Sequence, residues 1–184
     1  MTASPLINLA PDATVCVDGV CAVPTPRSAL TQKAKYDMST LPTSSISPAQ
    51  RFEILDLINR YATGIDTRDW ELFRSAFAHD AQVDFGFAQW TGAQEFTTFM
   101  RDTHDPAGRT LHRMTNTTIT SAEPLTARTY GDAIVLQADN VTGTIANAWY
   151  DDELTRTENG LQIQRRTVRM ISMRTIGPNL AAEM

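Results

Sequence analysis

The hydrophobic residues after position 47 recur at the spacing of an α-helix. Those three or four positions apart are Leu55, Ile58, Ala62 and Ile65. The segment also begins as helices do, because Ser47 can serve as the N-cap, Pro48 suits the first helical position and Gln50 completes a capping box. The pattern therefore predicts a first helix from about Pro48 to Gly64.

Three shorter elements are predicted next. The segment D-T-R-D-W-E-L-F-R-S-A-F, which begins at Asp66, has the apolar stripe of a second helix. That stripe consists of Trp70, Phe73 and Phe77. Residues 81–85 are typical of a short strand, and the two phenylalanines of 94–101 indicate a third helix.

From Thr110 the pattern changes to alternation and becomes rich in threonine, as in β-strands. Three more strands are predicted at 127–138, 143–156 and 161–173, with turn residues between them. Helices followed by a run of antiparallel strands predict an α+β fold and not alternating βαβ units.

The 184-residue length suits a single domain, and a hydrophobic content of 42% is ordinary for a globular protein. Residues 1–46 differ in composition from the rest of the chain. They are rich in Pro, Ser, Thr and Ala and would bury little apolar surface. We therefore expect a flexible or partner-packed arm over 1–46, a folded domain over 47–176 and a short tail over 177–184.

Charge and hydropathy narrow the class of partner. The formal net charge is -5, which disfavours binding to a phosphate backbone. No apolar run approaches the roughly 20 residues of a membrane-spanning helix. The first residues lack the basic and apolar regions of a secretion signal, so we expect a cytoplasmic protein that binds neither nucleic acid nor membrane.

The only two cysteines, Cys16 and Cys21, flank Asp18-Gly19 in the segment C-V-D-G-V-C. An Asp-Gly pair favours a tight hairpin turn. Either a disulfide across this hairpin or two free thiols in the arm would agree with the spacing.

Two residues stand out as candidates for chemistry. Asp66 falls between the first two predicted helices, where it could be functional or could cap the second helix. Alternation places His112, Met114 and Asn116 on one face of their strand, so His112 is either a pocket residue or an ordinary core or surface imidazole.

Other polar residues give weaker signals. Arg156 ends a predicted strand, where it could neutralise a developing anion or simply be solvated. We expect His79 to be solvated and His104 to lie in a loop, at most at the edge of a pocket. No metal-ligand spacing, nucleophile elbow, phosphate loop or dinucleotide fingerprint is present, so we expect neither metal nor cofactor.

Three segments resemble one known family in order and spacing. They are I-L-D-L-I-N-R-Y-A-T-G-I-D-T-R-D-W-E-L-F-R-S-A-F-A-H-D-A-Q-V-D-F, T-L-H-R-M-T-N-T-T-I and A-W-Y-D-D-E-L-T-R-T-E-N-G-L-Q-I-Q-R-R. Together they make residues 48 to 174 similar to the SnoaL-like group of the nuclear transport factor 2-like superfamily. The resemblance implies a cone-shaped, strongly bent antiparallel sheet with N-terminal helices closing a pocket.

The resemblance also implies site residues. In scytalone dehydratase and hexachlorocyclohexane dehydrochlorinase of that superfamily, an Asp after the first helix pairs with a His on the sheet, and Asp66 and His112 fall on those positions. Arg156 falls on a pocket arginine of the dehydrochlorinase. Phe85 stands where scytalone dehydratase has a tyrosine, and Tyr61 stands near a lysine of the dehydrochlorinase, so neither substrate carries over.

The resemblance therefore favours a cofactor-independent lyase or isomerase, similar to a dehydratase or a cyclase, that acts on a small and mostly apolar molecule. His112 would be the base, Asp66 its partner and Arg156 the anion-stabilising group. The expected substrate-binding residues are Tyr61, Phe85, Met114, Asn116 and Tyr150. Two alternatives are a pocket that binds a metabolite without turnover and a scaffold similar to a dioxygenase small subunit. We expect a homo-oligomer, a dimer or a trimer.

Overall fold

The computed structural model of the protein describes Cys16–Val17, Val20–Cys21 and residues 46–177. Strand β1 (Cys16–Val17) pairs antiparallel with β2 (Val20–Cys21), with Cys16 opposite Cys21, so the predicted hairpin forms. This hairpin belongs to a separate compact unit and is described by itself. The choice between a disulfide and two thiols stays open. The remainder of the predicted arm and the tail after residue 177 lie outside the described residues.

The larger unit contains three helices and six strands, and the sequence predicts all of them in this order except the short strand Gln89–Thr91. They are α1 (Pro48–Thr67), α2 (Trp70–Ser75), β3 (Phe77–Asp84), β4 (Gln89–Thr91), α3 (Ala93–His104), β5 (Thr110–Ala122), β6 (Leu125–Leu136), β7 (Gly143–Thr157) and β8 (Gly160–Ile176). None of the helices in the described ranges is both long and apolar enough to cross a membrane.

The capping box at the start of α1 forms as predicted, with the Ser47 and Gln50 side chains each bonded to the other residue's backbone N–H. The buried side of this helix is rotated from the predicted stripe, because Ile54 and Leu57 face the core whereas Leu55 is exposed. The helix also continues past the predicted end at Gly64.

The junction between α1 and α2 overturns one interpretation of Asp66. Helix α1 ends when Arg68 adopts a left-handed conformation with φ of 60°. Asp69 then caps α2 by accepting a hydrogen bond of 2.9 Å from the backbone N–H of Leu72. Asp66 therefore lies in the last turn of α1, and its side chain does not cap α2. Phe77, predicted within the second helix, instead opens strand β3.

The six strands form one sheet in the order β4-β3-β8-β7-β6-β5. All neighbours are antiparallel except β3 and β8, which run parallel. The register shifts between Thr115 and Thr118, between Asn147 and Ala148, and between Glu153 and Leu154. Such bulges bend long strands, which explains how this open sheet becomes curved.

The core lies between the concave face of the sheet and the three helices. Its centre is an aromatic cluster with ring centroids 5.2–6.1 Å apart in pairs such as Phe73–Phe96 and Phe77–Phe96, joined by Tyr61. Leu111 and Tyr130, on neighbouring strands, are among the large apolar side chains that remain exposed. The homo-oligomer expected from sequence stays a prediction.

Candidate active site

The carboxylate of Asp66 is the centre of a hydrogen-bond network that joins α1 to β5. Its Oδ1 accepts from the Thr110 hydroxyl at 2.9 Å, and its Oδ2 accepts from the backbone N–H of His112 at 2.8 Å. Burial alone would raise the pKa of Asp66, but the hydrogen bonds from His112 and Thr110 outweigh it and lower the pKa. Asp66 is therefore an anion at neutral pH.

The imidazole of His112 is bonded to the same carboxylate. Nδ1 of His112 lies 2.7 Å from Oδ1 of Asp66, and the two side chains are 6% and 20% exposed, respectively. Because a carboxylate can only accept, Nδ1 carries the proton and Nε2 of the neutral ring has a free lone pair. Among the described residues, none hydrogen-bonds to Nε2. The predicted pairing of Asp66 with His112 is present in the geometry.

Arg68 stabilises the network around Asp66 through three hydrogen bonds. The sequence analysis did not identify this residue. Its guanidinium donates to the Ile65 carbonyl at 2.6 Å, to the Thr110 hydroxyl at 2.9 Å and to the Gly108 carbonyl at 2.9 Å. Since Thr110 in turn donates to Asp66, the end of α1 and the start of β5 are held in a fixed relation.

A second imidazole lies beside the first. His104 is the last residue of α3 and not a loop residue as expected, and its ring centroid is 5.9 Å from that of His112. Its Nδ1 lies 2.9 Å from the Met100 carbonyl. Burial lowers the pKa of His104 to about 4, although the hydrogen bond to Met100 opposes this effect. His104 is therefore neutral at pH 7.

On the face of β5 that carries His112, further side chains pack against the core. Met114 follows on the same face of β5, and Gly131 lies opposite it on β6. A Cβ placed on Gly131 would lie 2.7 Å from Cε2 of Tyr150 and 3.2 Å from Sδ of Met114, so both side chains lie against this glycine. Tyr150 then packs edge-on against Tyr61 at 6.0 Å between ring centroids. Three predicted substrate-binding residues thus lie next to one another, and their role stays a prediction.

Next to Tyr61 and Tyr150 lies a buried ion pair that the sequence analysis missed. Nε and Nη2 of Arg166 donate to the two carboxylate oxygens of Asp152 at 2.7 and 2.8 Å, and both side chains are 0% exposed. The guanidinium carbon lies 4.2 Å from the ring centroid of Tyr61 and 5.0 Å from that of Tyr150. Burial would lower the pKa of Arg166, but the Asp152 carboxylate raises it, so Arg166 stays charged.

One atom of this arginine has no partner. Nη1 of Arg166 is the one buried side-chain nitrogen or oxygen of the described chain that makes no hydrogen bond. A buried donor without an acceptor is costly, and such groups often mark a place that a ligand satisfies. The signal in the sequence was indirect: Asp152 alternates with the apolar residues Tyr150 and Leu154, and a carboxylate on a buried face needs a charged or hydrogen-bonding partner.

Three predicted site residues lie elsewhere. Arg156 is 57% exposed and pairs at 2.6 Å with Glu53 on the surface of α1, so it does not reach the interior. Asn116 is exposed and has a φ of 52° at the bulge in β5, so it leaves the face that His112 and Met114 share. Phe85 packs against Trp90 and Phe96 at 5.4 and 5.5 Å, within the aromatic core.

Surface clefts formed by described residues occur away from Asp66 and His112. One of them has a volume of about 550 Å³ and is lined by the exposed His79, by Gln94 and by the β7–β8 turn. Within the described ranges, no three His, Cys, Asp or Glu side chains are arranged to hold a metal ion.

A curved open sheet, covered on its concave face by N-terminal helices, defines the class: an α+β domain with a cystatin-like fold. The chain belongs to the SnoaL-like family, whose domain model matches residues 48–167. The resemblance noted in the sequence is thereby confirmed. A search of functionally curated proteins found no match.

Solved structures agree with this fold. A candidate aromatic ring hydroxylase from Novosphingobium aromaticivorans is 24% identical, with a TM-score of 0.62 over 70% of this chain and 95% of that one. A candidate scytalone dehydratase from N. aromaticivorans DSM 12444 is 18% identical, with a TM-score of 0.63 over 71% and 93%. The type 2 hexachlorocyclohexane dehydrochlorinase LinA is 20% identical, with a TM-score of 0.60 over 70% and 90%. At these identities the likeness defines the fold.

Proposed function

We propose that the protein is a lyase or isomerase that removes a proton from carbon in a small, mostly apolar molecule, with His112 as the base. The observation that carries this proposal is the 2.7 Å hydrogen bond from Nδ1 of His112 to Asp66, which leaves Nε2 as an unpaired acceptor. Solved structures of similar fold carry the names of a dehydratase and a dehydrochlorinase, both eliminating enzymes, which supports this class of reaction.

The Asp66–His112 pair suits proton abstraction for two reasons. Asp66 fixes the tautomer in which Nε2 can accept a proton, and its negative charge stabilises the imidazolium that results. The carboxylate itself stays ionised because the hydrogen bonds that it accepts lower its pKa. Well-placed acid–base groups of this kind contribute about 10²–10⁴-fold to a rate.

The carbanion or enolate that forms needs an electrophilic partner. We assign this role to Arg166 in place of Arg156, because Nη1 of Arg166 is an unpaired buried donor whereas Arg156 faces solvent. Tyr61 and Tyr150 flank the guanidinium, and burial raises the pKa of both hydroxyls, so they remain protonated donors at neutral pH. Donors held in a dry interior stabilise developing negative charge more strongly than they do in water.

The test is turnover of a panel of small carbon acids, comprising β-hydroxy ketones and vicinal halohydrocarbons, followed by NMR in D₂O. For any compound that wild type converts, we expect His112→Ala and Asp66→Asn to lower the rate about 10²–10⁴-fold. The matched control is His79→Ala, which removes an exposed imidazole on β3 from a cleft that neither Asp66 nor His112 lines. Wild-type rates in both site variants would rule out this mechanism.

The same panel separates the two alternatives. A protein that only binds a metabolite would show saturable binding without conversion and without dependence on His112. A scaffold subunit would co-purify with a larger iron-containing chain, and the name of the aromatic ring hydroxylase of similar fold is the observation that keeps this alternative open. The Asp66–His112 pair with its free Nε2 favours a catalytic function over both the metabolite-binding and the scaffold alternatives.

A further inference from the structure

Beside the proposed base, the protein holds a second imidazole whose hydrogen bonding is also fixed on one side. Nδ1 of His104 faces the Met100 carbonyl at 2.9 Å, and the Thr103 hydroxyl lies at the same distance. Because a carbonyl oxygen can only accept, Nδ1 carries the proton of the neutral ring. Nε2 of His104 is then an acceptor.

The ring of His104 lies next to the ring of the proposed base. The nitrogen atoms lie on different sides of the ring, and Nδ1 is turned back onto the backbone of α3. The aromatic neighbours of the ring are His112, at 5.9 Å between centroids, and Trp70, at 6.4 Å and edge-on. Trp70 is itself held by a hydrogen bond of 3.0 Å from its Nε1 to Asp105. Within the described ranges no side chain donates to Nε2 of His104.

We propose that His104 is a specificity-determining residue, whose Nε2 accepts a hydrogen bond from a hydroxyl or similar donor group on the molecule that His112 acts on. The ligand class is therefore a small, largely apolar compound with an O–H group near its reacting carbon. This assignment rests on the proposed function, since the ligand in question is the one whose carbon faces His112.

Two features suit His104 to accept and not to donate. The ring stays neutral, because burial and the nearby positive charge of Arg68 disfavour its charging. The Met100 carbonyl fixes the tautomer, so Nε2 cannot switch to a donor without losing this hydrogen bond. A site whose polar group can only accept discriminates against analogues that lack a donor, because the acceptor would then be left unpaired.

The test compares phenol with toluene, which differ by a hydroxyl in place of a methyl group. Binding of each to wild type is measured by NMR titration, and the quantity compared is the ratio of the two dissociation constants. We expect His104→Phe to reduce the preference for phenol about fivefold, as loss of one net hydrogen bond predicts. His104→Gln, which keeps an acceptor oxygen, should retain part of the preference, and His79→Phe should retain all of it.

A measurement on the unmutated protein avoids dependence on a variant that fails to fold. In long-range ¹H–¹⁵N spectra at pH 7, we expect His104 to show the Nδ1–H tautomer and its Nε2 signal to move on addition of phenol but not toluene. A phenol preference that survives in His104→Phe and disappears in His112→Phe would overturn the assignment, as would the absence of saturable phenol binding. Neither result bears on turnover by His112, which is measured separately.

Discussion

Nδ1 of His112 and Oδ1 of Asp66 lie 2.7 Å apart although 46 positions separate the two residues in sequence. The distance is held from both sides, because Asp66 also accepts from the backbone N–H of His112 and from Thr110. A pair that is fixed by three hydrogen bonds loses little conformational entropy when a substrate arrives. This preorganisation is what distinguishes the pair from a chance contact of two polar side chains.

Asp66→Asn tests the role of the carboxylate directly. An amide that donates to Nδ1 of His112 would move the ring proton to Nε2 and remove the proposed base, so we expect turnover to fall about 10²–10⁴-fold. The change of tautomer is visible in ¹⁵N spectra of the histidine side chain. Asp80→Asn, in an exposed position on β3, is the control and should leave the turnover and the tautomer of His112 unchanged. An unaltered tautomer with unaltered turnover would contradict the assigned role.

His104 makes stability depend on pH in a defined direction. Its folded-state pKa of about 4 lies below the ordinary value of 6.5, so the unfolded chain binds the proton more readily. Stability therefore falls as the pH is lowered from about 6.5 and levels off below about 4. The charged or titratable groups that interact with the ring are Asp66, Arg68 and His112, and they remain in place in His104→Gln.

Urea unfolding of wild type and of His104→Gln at pH 7 and at pH 4.5 measures this contribution. The full shift in pKa would lower the free energy of unfolding by at most about 3 kcal/mol. Because the ring is partly exposed, we expect the free energy of wild type to fall by about 2 kcal/mol more than that of the variant between pH 7 and pH 4.5. Equal losses in the two proteins would show that His104 takes up its proton as readily in the folded state as in the unfolded chain.

Much of the fold was predictable because local signals agreed with one another. The capping box at Ser47 and Gln50 and the alternation from Thr110 each specified an element that the structure contains. The position of Asp66 was harder to predict, because α1 continues past Gly64 and Asp69 is the residue that caps α2. Which of two nearby aspartates caps a helix depends on where the preceding helix ends.

The site was less predictable where bulges interrupt alternation. Asn116 was expected beside His112, but a bulge turns it outward. A register shift between β7 and β8, at Leu154 of β7, turns a polar residue inward. Ile163 and Arg166 of β8 are both buried although their positions differ in parity. Strict alternation from Ile163 points Arg165 inward, so the pattern alone could not identify Arg166. The position of a bulge depends on the neighbouring strand, which local sequence does not encode.

The two arginine–carboxylate pairs should contribute very differently to stability. Asp152→Asn leaves the charge of Arg166 without its partner in the interior, so we expect a loss of about 3–5 kcal/mol in the free energy of unfolding. Glu53→Gln removes the partner of Arg156 at an exposed site, where the expected loss is at most about 1 kcal/mol. Urea unfolding at pH 7 compares them. Similar losses would contradict the contrast between a buried and a solvated pair.

Substitution of Gly64 tests the close packing of α1 against α2, which helps to position Asp66 at the end of α1. A glycine inside a helix ordinarily lowers stability, so at an open site alanine would stabilise α1 by about 1 kcal/mol. Here a Cβ would lie 2.5 Å from the backbone nitrogen and 2.7 Å from Cα of Phe73, and these backbone atoms cannot move without shifting α2. We therefore expect Gly64→Ala to destabilise the protein by about 1–3 kcal/mol, as overpacking does.

Gly177→Ala, where nothing lies within 4 Å of the added carbon, is the control and should change stability little. Thermal unfolding of the two variants decides between these effects, and a Gly64→Ala protein more stable than wild type would mean that α1 and α2 are not in this close contact.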